Sequence, residues 1–276
     1  MSTEVFGKTN RAVPNLWARL LTGDGGEEAL VESVAESGAP FDPGAHLSKW
    51  GYLTRDIPNP VMVCLGREIE NAPADSVAAD LIGGELVQAL SSLGRTSIDF
   101  FFLSVRRALE EHQINGALAC LESAREEGLV KHVGLSIEGR AMAVAGMWRF
   151  HDAFEMIRVR RNPVWEEDVA VVRSMAKERR VGVLGAEPFD WGLGLPFFRQ
   201  PGLTWADGAG CLAQLRTDHP VLVGVRSAHE WRACLAASSG EGQLPSAEEY
   251  RDPVRWADAA LAEPWLKSSL EALRGS

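Results

Sequence analysis

No Cys-x-x-Cys pair occurs in this sequence, and its four cysteines, Cys64, Cys120, Cys211 and Cys234, lie far apart. Such spacing gives neither a zinc site nor a disulfide scaffold, and the chain reads as cytoplasmic. No amino-terminal apolar stretch reads as a signal peptide, and no apolar run approaches the ~20 residues that span a bilayer, so no membrane is expected. The six histidines are scattered, without ligand spacing to one another or to acidic residues, and no metal is expected. An excess of positive charge is missing too. At a formal net charge of -10 the chain is a poor match for a phosphate backbone, so nucleic acid is not an expected partner. Tyrosine is nearly absent, with two residues against nine tryptophans. Finally, no strand-like segment is followed by Gly-x-Gly-x-x-Gly, which argues against a dinucleotide-binding open sheet.

Hydrophobic residues make up 46% of the 276 positions and charged residues 24%, enough for a substantial core. Short apolar runs alternate with longer helical patterns. The strand candidates are Ala12–Leu21, Ala39–Phe41, Pro60–Leu65, Ser97–Leu103, His132–Leu135, Phe154–Val159, Val181–Gly185 and Pro220–Val223. Most lack polar alternation, as parallel strands covered on both faces should. The helix candidates are Glu27–Ser37, a segment from Asp75 toward Gly94, Asn115–Glu127, Arg140–Trp148, Glu166–Arg179, Gly208–Arg216 and Ala228–Ala237. Acidic first turns and a glycine after the last turn mark several ends. Eight strands with intervening helices in a chain somewhat above ~250 residues predict an α/β fold, a single (β/α)8 TIM barrel, with a doubly wound sheet as the weaker alternative. The barrel takes up about residues 4–237, and 238–276 form a tail packing over or beside it.

Five segments, in order and at plausible spacing, resemble the aldo/keto reductase family. They are "VFGKTN", "EEALVESVAESGAPFD", "SSLGRTSIDFFFL", "ALACLESAREEGLVKHVGLS" and "HPVLVGVRSAHEW". The resemblance implies a barrel of reductase type preceded by a hairpin, and an Asp-Tyr-Lys-His group that works with NADP(H). The aspartate matches Asp42, but the tyrosine falls on Leu47, the lysine on Gly66 and the histidine on Ser104. Tyr52, Lys49 and Arg67 are the neighbours from which displaced groups would have to come. At the cofactor positions the family's Ser-Asn falls on Ser136-Ile137, its glutamine on Arg158, its stacking tyrosine near Ala186 and its closing asparagine on Cys234. Arg226 and Ser227 look like the residues that hold the adenosine phosphate. No cofactor is therefore expected, with NADP(H) as the alternative.

Barrel chemistry lies at the carboxyl ends of the strands. Reading those ends gives Trp17, Asp42 with His46, Glu68, Ser104 with Arg106, Ser136 with Glu138, Arg158 with Arg160, Glu187 and Asp190. Asp42, His46 and Glu187 are the candidate acid/base groups. Trp17, Glu68, Ser104, Arg106, Arg158, Arg160 and Trp191 are the candidate substrate contacts. Guanidinium groups grip carboxylates and phosphates; here they either hold an anionic substrate or pair with Glu68, Glu138 or Glu187 to close the mouth. Trp17, Trp50, Trp165, Trp191 and Trp205 would wall a pocket for an aromatic ligand. Together these features predict a divergent, reductase-like enzyme that has lost hydride transfer. Its chemistry would be acid/base, as in dehydration, cyclisation, isomerisation or addition, on an anionic or aromatic small molecule. Specialised-metabolite biosynthesis would be its natural home, and self-association is possible. The alternatives are an NADP(H)-dependent carbonyl reductase with displaced catalytic groups, and a non-catalytic barrel used for binding or structure.

Overall fold

Parallel strands buried on both faces dominate the computed structural model, which describes residues 3–22, 25–139, 141–160, 166–186, 188 and 219–239. The chain starts with a hairpin of β1 (Thr3–Val5) and β2 (Ala12–Pro14), paired antiparallel. Eight strands then follow: β3 (Leu16–Leu20), β4 (Phe41–Asp42), β5 (Met62–Leu65), β6 (Ile98–Val105), β7 (Val130–Ile137), β8 (Met156–Arg160), β9 (Gly182–Ala186) and β10 (Val221–Val225). They run in the order β4-β3-β10-β9-β8-β7-β6-β5, with every pairing parallel. A parallel bridge between Phe41 and Val61 joins the two ends of that order and closes the barrel. The helices are α1 (Glu27–Ser37), α2 (Leu47–Thr54), α3 (Asp75–Leu93), α4 (Glu111–Glu126), α5 (Ala141–Trp148), α6 (Glu166–Arg179) and α7 (Ala228–Ser239).

Local chemistry accounts for the helices. In α3 the buried residues Ala78, Ile82, Leu86, Ala89 and Leu93 recur every three or four positions and make one stripe against the sheet. The helix stops at Gly94, which takes a left-handed φ of 60°. A capping box between Glu110 and Gln113 opens α4. These two helices touch closely at Gly116, where an added Cβ would lie 2.0 Å from the Asp75 carbonyl oxygen.

Two apolar layers result. One lies between the sheet and the helices and includes Phe41, Trp50, Phe101, Trp148 and Trp231. The other fills the barrel itself with Phe6, Val13, Trp17, Met62, Phe100, Phe102, Met156, Leu184 and Leu222. Phe6, from the hairpin, plugs the end at which the strands begin. Its ring lies 5.4 Å from Trp17 and 6.2 Å from Phe100. The expected strand Ala12–Leu21 is thus two elements, a hairpin strand and a barrel strand. The break at Pro14 is held by the Trp17 indole, which donates to the Pro14 carbonyl at 3.0 Å. Among the described residues no helix is long and apolar enough to cross a membrane. The helix expected at 208–216 and the tail expected at 238–276 fall, but for Ser238 and Ser239 in α7, outside the described residues.

Candidate active site

Side chains alternate along each barrel strand, so the barrel interior is stacked in layers. The lower layers are apolar. Toward the carboxyl ends the inward positions become polar: Arg19 opposite Asp42, and Ser104 opposite Ser136, itself opposite Arg158. Just beyond β7, Glu138 turns back over this layer and becomes its hub. One carboxylate oxygen accepts from Arg158 at 2.5 Å, from Ser136 at 2.8 Å and from Ser104 at 3.3 Å. The other lies 3.6 Å from the Arg67 guanidinium. Burial pushes the Glu138 carboxyl up, but Arg158, the Ser136 hydroxyl, Arg67 and Arg19 outweigh it and hold the group below its ordinary range. Arg158, only 3% exposed, also donates to Ser136 at 2.8 Å.

Asp42 is likewise 3% exposed. Its carboxylate accepts the Gly44 amide at 2.8 Å and lies 3.7 Å from Arg19. Between these two ion pairs sits Cys64, whose thiol is pushed up to about 12 by burial, with Asp42 and Glu138 working against Arg158 and Arg19. A cavity of about 410 Å³ opens above them. Its polar lining includes Arg19, Asp42, Arg67, Glu68, Glu85 and Glu138, and Leu47, Val63 and Leu65 contribute apolar wall. Glu85, from α3, accepts the Gly66 amide at 2.6 Å. Burial raises its pKa; the Gly66 amide works against that and the nearby Glu68 charge adds to it.

The structure therefore brings Asp42, Glu68 and Glu138 to one cavity, and puts Ser104 and Arg158 directly beneath it. Other expected contacts are placed elsewhere. Trp17 was expected at the mouth, but it is fully buried near the plugged end because β3 runs on to Arg19 and Leu20. Arg106 turns away from the cavity to the buried Glu70, which accepts its backbone amide at 2.6 Å and its guanidinium at 3.0 Å. His46 is exposed just ahead of α2. Arg160 ends β8, opposite Ala186. Trp50 is packed between helices and sheet rather than around a pocket. Glu187, Asp190, Trp165, Trp191 and Trp205 lie outside the described residues. Three cavity residues escaped the sequence reading. Arg19 and Cys64 lie within the expected strands Ala12–Leu21 and Pro60–Leu65, and the alternation from the inward Trp17 and Met62 makes them legible. Glu85 carried no sequence signal, since a lone glutamate in a helix reads as a solvated side chain even where, as here, it flanks the buried stripe.

The positions that would carry the reductase chemistry are filled differently. Leu47 lines the cavity where the tyrosine would stand. Gly66 has a left-handed φ of 96°, and an added Cβ there would lie 2.7 Å from side-chain carbons of both Ile82 and Leu103. Neither of the neighbouring candidates reaches the site: Tyr52 is 72% exposed, and Lys49 is paired with Glu27 at 2.7 Å. Arg67 alone of the three neighbours turns to the mouth. The described residues at the nicotinamide end of the cofactor path do not fit that ring. A buried, ion-paired guanidinium stands at Arg158, a buried aliphatic chain at Ile137 and only a methyl group at Ala186. At the phosphate end, Arg226 and Ser227 precede α7, but Glu230 closes that helix end on itself. Its carboxylate accepts the Arg226 amide at 2.5 Å, and its own amide donates to Ser227 at 3.2 Å. Among the described residues no group of His, Cys, Asp and Glu is placed to hold a metal.

No protein-family model and no curated protein matches the sequence. Solved structures do. Aldo-keto reductase AKR11C1 from Bacillus halodurans, in its holo form, superposes with a TM-score of 0.66 at 16% identity, over 94% of this chain and 96% of that one. MGS-M4, an aldo-keto reductase enzyme from a Medee basin deep-sea metagenome library, gives 0.66 at 12% identity, over 91% and 94%. An aldo/keto reductase from Brucella melitensis gives 0.65 at 11% identity, over 94% and 97%. Identities this low speak for architecture rather than activity, and the architecture of this chain is the (β/α)8 barrel of the aldo-keto reductases.

Proposed function

We propose that this barrel has given up hydride transfer and performs proton-transfer chemistry, such as a dehydration, cyclisation, isomerisation or addition, on a small molecule held in the mouth cavity. One observation carries the reading. The lysine and histidine positions are a glycine on a left-handed backbone that side chains rarely adopt and a serine engaged by a buried Glu138–Arg158 pair. A hydride acceptor would find neither the proton donor nor its supports.

Two carboxyl groups of the same cavity suit general acid/base work because their surroundings differ. Asp42 is oriented by the Gly44 amide and faces Arg19, so it presents an anchored carboxylate that takes a proton from the substrate. Glu85 rests as a carboxylate whose raised pKa, set by burial, makes it a stronger base than an ordinary glutamate, fit to take up a proton and hand it on. Glu138 belongs to the scaffold: its charge is committed to Arg158 and Arg67. Titration of the protein with NADPH and NADP+ tests the reading. No saturable binding up to about a millimolar, which corresponds to ~4 kcal/mol, is the expected outcome. Micromolar binding with turnover of a carbonyl substrate would refute it.

A further inference from the structure

The charge balance of the mouth cavity singles out a class of substrate. Among the described residues its lining holds four carboxylates, Asp42, Glu68, Glu85 and Glu138, and two guanidinium groups, Arg19 and Arg67. Both guanidinium groups are already matched, Arg19 to Asp42 and Arg67 to Glu138, and Glu138 is matched a second time by Arg158 beneath it. Glu68 and Glu85 have no Lys, Arg or His nitrogen within 4 Å among the described residues. Their negative charge is therefore the part of the wall still open to a partner. Glu85 is half-buried, so water screens it less than it screens an ordinary surface carboxylate.

We propose that the cavity takes a small molecule carrying a cationic nitrogen, an amine or a guanidine, seated against Glu85 and Glu68. This rests on reading the mouth as the substrate site. Its position comes from the cavity at the strand ends, and the charged wall decides only what enters. An anionic ligand would have to face two unmatched carboxylates and pull Arg19 or Arg67 from its partner. A cation supplies the missing charge and leaves both pairs intact. Leu47, Val63 and Leu65 give its carbon frame an apolar wall. The arginines first read as an anion grip are thus spoken for by acidic neighbours, and the preferred sign of the ligand is reversed.

The Gly66 amide reports on this site directly, because it donates to Glu85. Full-length protein labelled with 15N is titrated at neutral pH with three probes sharing one ring: benzylamine as its ammonium ion, benzyl alcohol and benzoate. The ammonium ion should shift the Gly66 amide saturably, and the alcohol and the carboxylate should not. Glu85→Gln keeps an acceptor for Gly66 and should weaken the ammonium ion by about tenfold, the loss of one charge-assisted contact. Glu68→Gln, at an exposed position, should weaken it less. Equal or better binding of benzoate or benzyl alcohol overturns the proposal, as does the absence of a saturable shift with any probe, or an ammonium affinity unchanged in Glu85→Gln. Parallel titration with NADPH keeps the two claims apart. Micromolar NADPH binding would sink the loss of hydride transfer, whereas the cation preference stands or falls on the amine alone.

Discussion

Replacing Glu138 by alanine removes the hub of the barrel mouth and takes from the buried Arg158 guanidinium its carboxylate partner, while its bond to the Ser136 hydroxyl stays. Taking one partner from a buried ion pair costs roughly 3–5 kcal/mol, because the other charge stays desolvated. Glu138 lines the cavity, so water can reach into the gap and rehydrate part of Arg158, which puts the expected loss near the lower bound, ~3 kcal/mol. The reverse change is milder. In Arg158→Ala the carboxylate keeps Ser136, Ser104 and the more exposed Arg67, so the loss of one charge-assisted bond, about 2 kcal/mol, is expected. The double variant should lose less than the sum of the two. Urea unfolding at neutral pH measures all three. The pH dependence carries its own sign. The folded pKa of Glu138 lies below its ordinary 4.5, so its contribution is complete above 4.5 and fades as the pH falls through the folded value. The gap between wild type and Glu138→Ala should therefore narrow on acidification below that range. A Glu138→Ala loss under about 1 kcal/mol, or one smaller than that of Arg158→Ala, would refute the idea of a buried hub.

Two further outcomes follow from packing and burial. Gly116→Ala puts a methyl group 2.0 Å from the Asp75 carbonyl oxygen and should cost about 3 kcal/mol, whereas Gly84→Ala, on the open side of α3 with nothing within 4 Å, should stabilise by roughly 0.5–1 kcal/mol; opposite shifts in melting temperature are the check. Cys64, with its thiol pushed up to about 12, and Cys234, raised further in the same direction by burial, should both resist iodoacetamide at pH 8 in the native protein and react once it is unfolded, as read by peptide mass spectrometry.

The alternation that announces the barrel was legible because parallel strands covered on both faces read as unbroken apolar runs. The strand ends at the mouth were not. Ser97–Leu103 was expected, yet β6 runs to Val105; His132–Leu135 was expected, yet β7 runs to Ile137. Ladder hydrogen bonds are indifferent to side-chain polarity, so a strand goes on past its last apolar residue just where the site begins. Trp17 was put at the mouth for a different reason: the expected strand Ala12–Leu21 already ran past it, and its inward alternation leads on to Arg19. Helix α2 was missed for another reason. Its segment "LSKWGYLT" has glycine near the middle, ordinarily a helix-weakening residue. Gly51 is there because α3 comes close: an added Cβ would lie 2.0 Å from the Ser92 carbonyl oxygen. Glu85 was hidden more deeply still. It flanks the buried stripe of α3, three residues after Ile82 and four before Ala89, yet a lone glutamate in a helix reads as a solvated side chain until the Gly66 turn is seen to meet it.

The departures from the reductase pattern are not independent substitutions, because each fits only in the company of the others. A guanidinium at the Arg158 position is tolerable in a buried layer because Glu138 neutralises it. Glu138 can turn inward because Ser104 and Ser136 are small and each donates a hydroxyl to it. A histidine restored at 104 would press against a carboxylate already held from three sides. A lysine restored at 66 would sit on a backbone whose left-handed φ of 96° favours glycine and would push aside the end methyls of Ile82 and Leu103. Returning one residue therefore gains nothing until its neighbours are returned as well. An interlocked polar layer of this kind differs from a reductase site that has merely lost its proton donor, since such a site would keep open space and idle charges where the donor had stood. Here Arg19, Arg67 and Arg158 each face a carboxylate, and among the described carboxylates of the cavity Glu68 and Glu85 are the two without such a pair. On the proposal made above, the charge left over in the mouth favours a ligand of positive sign.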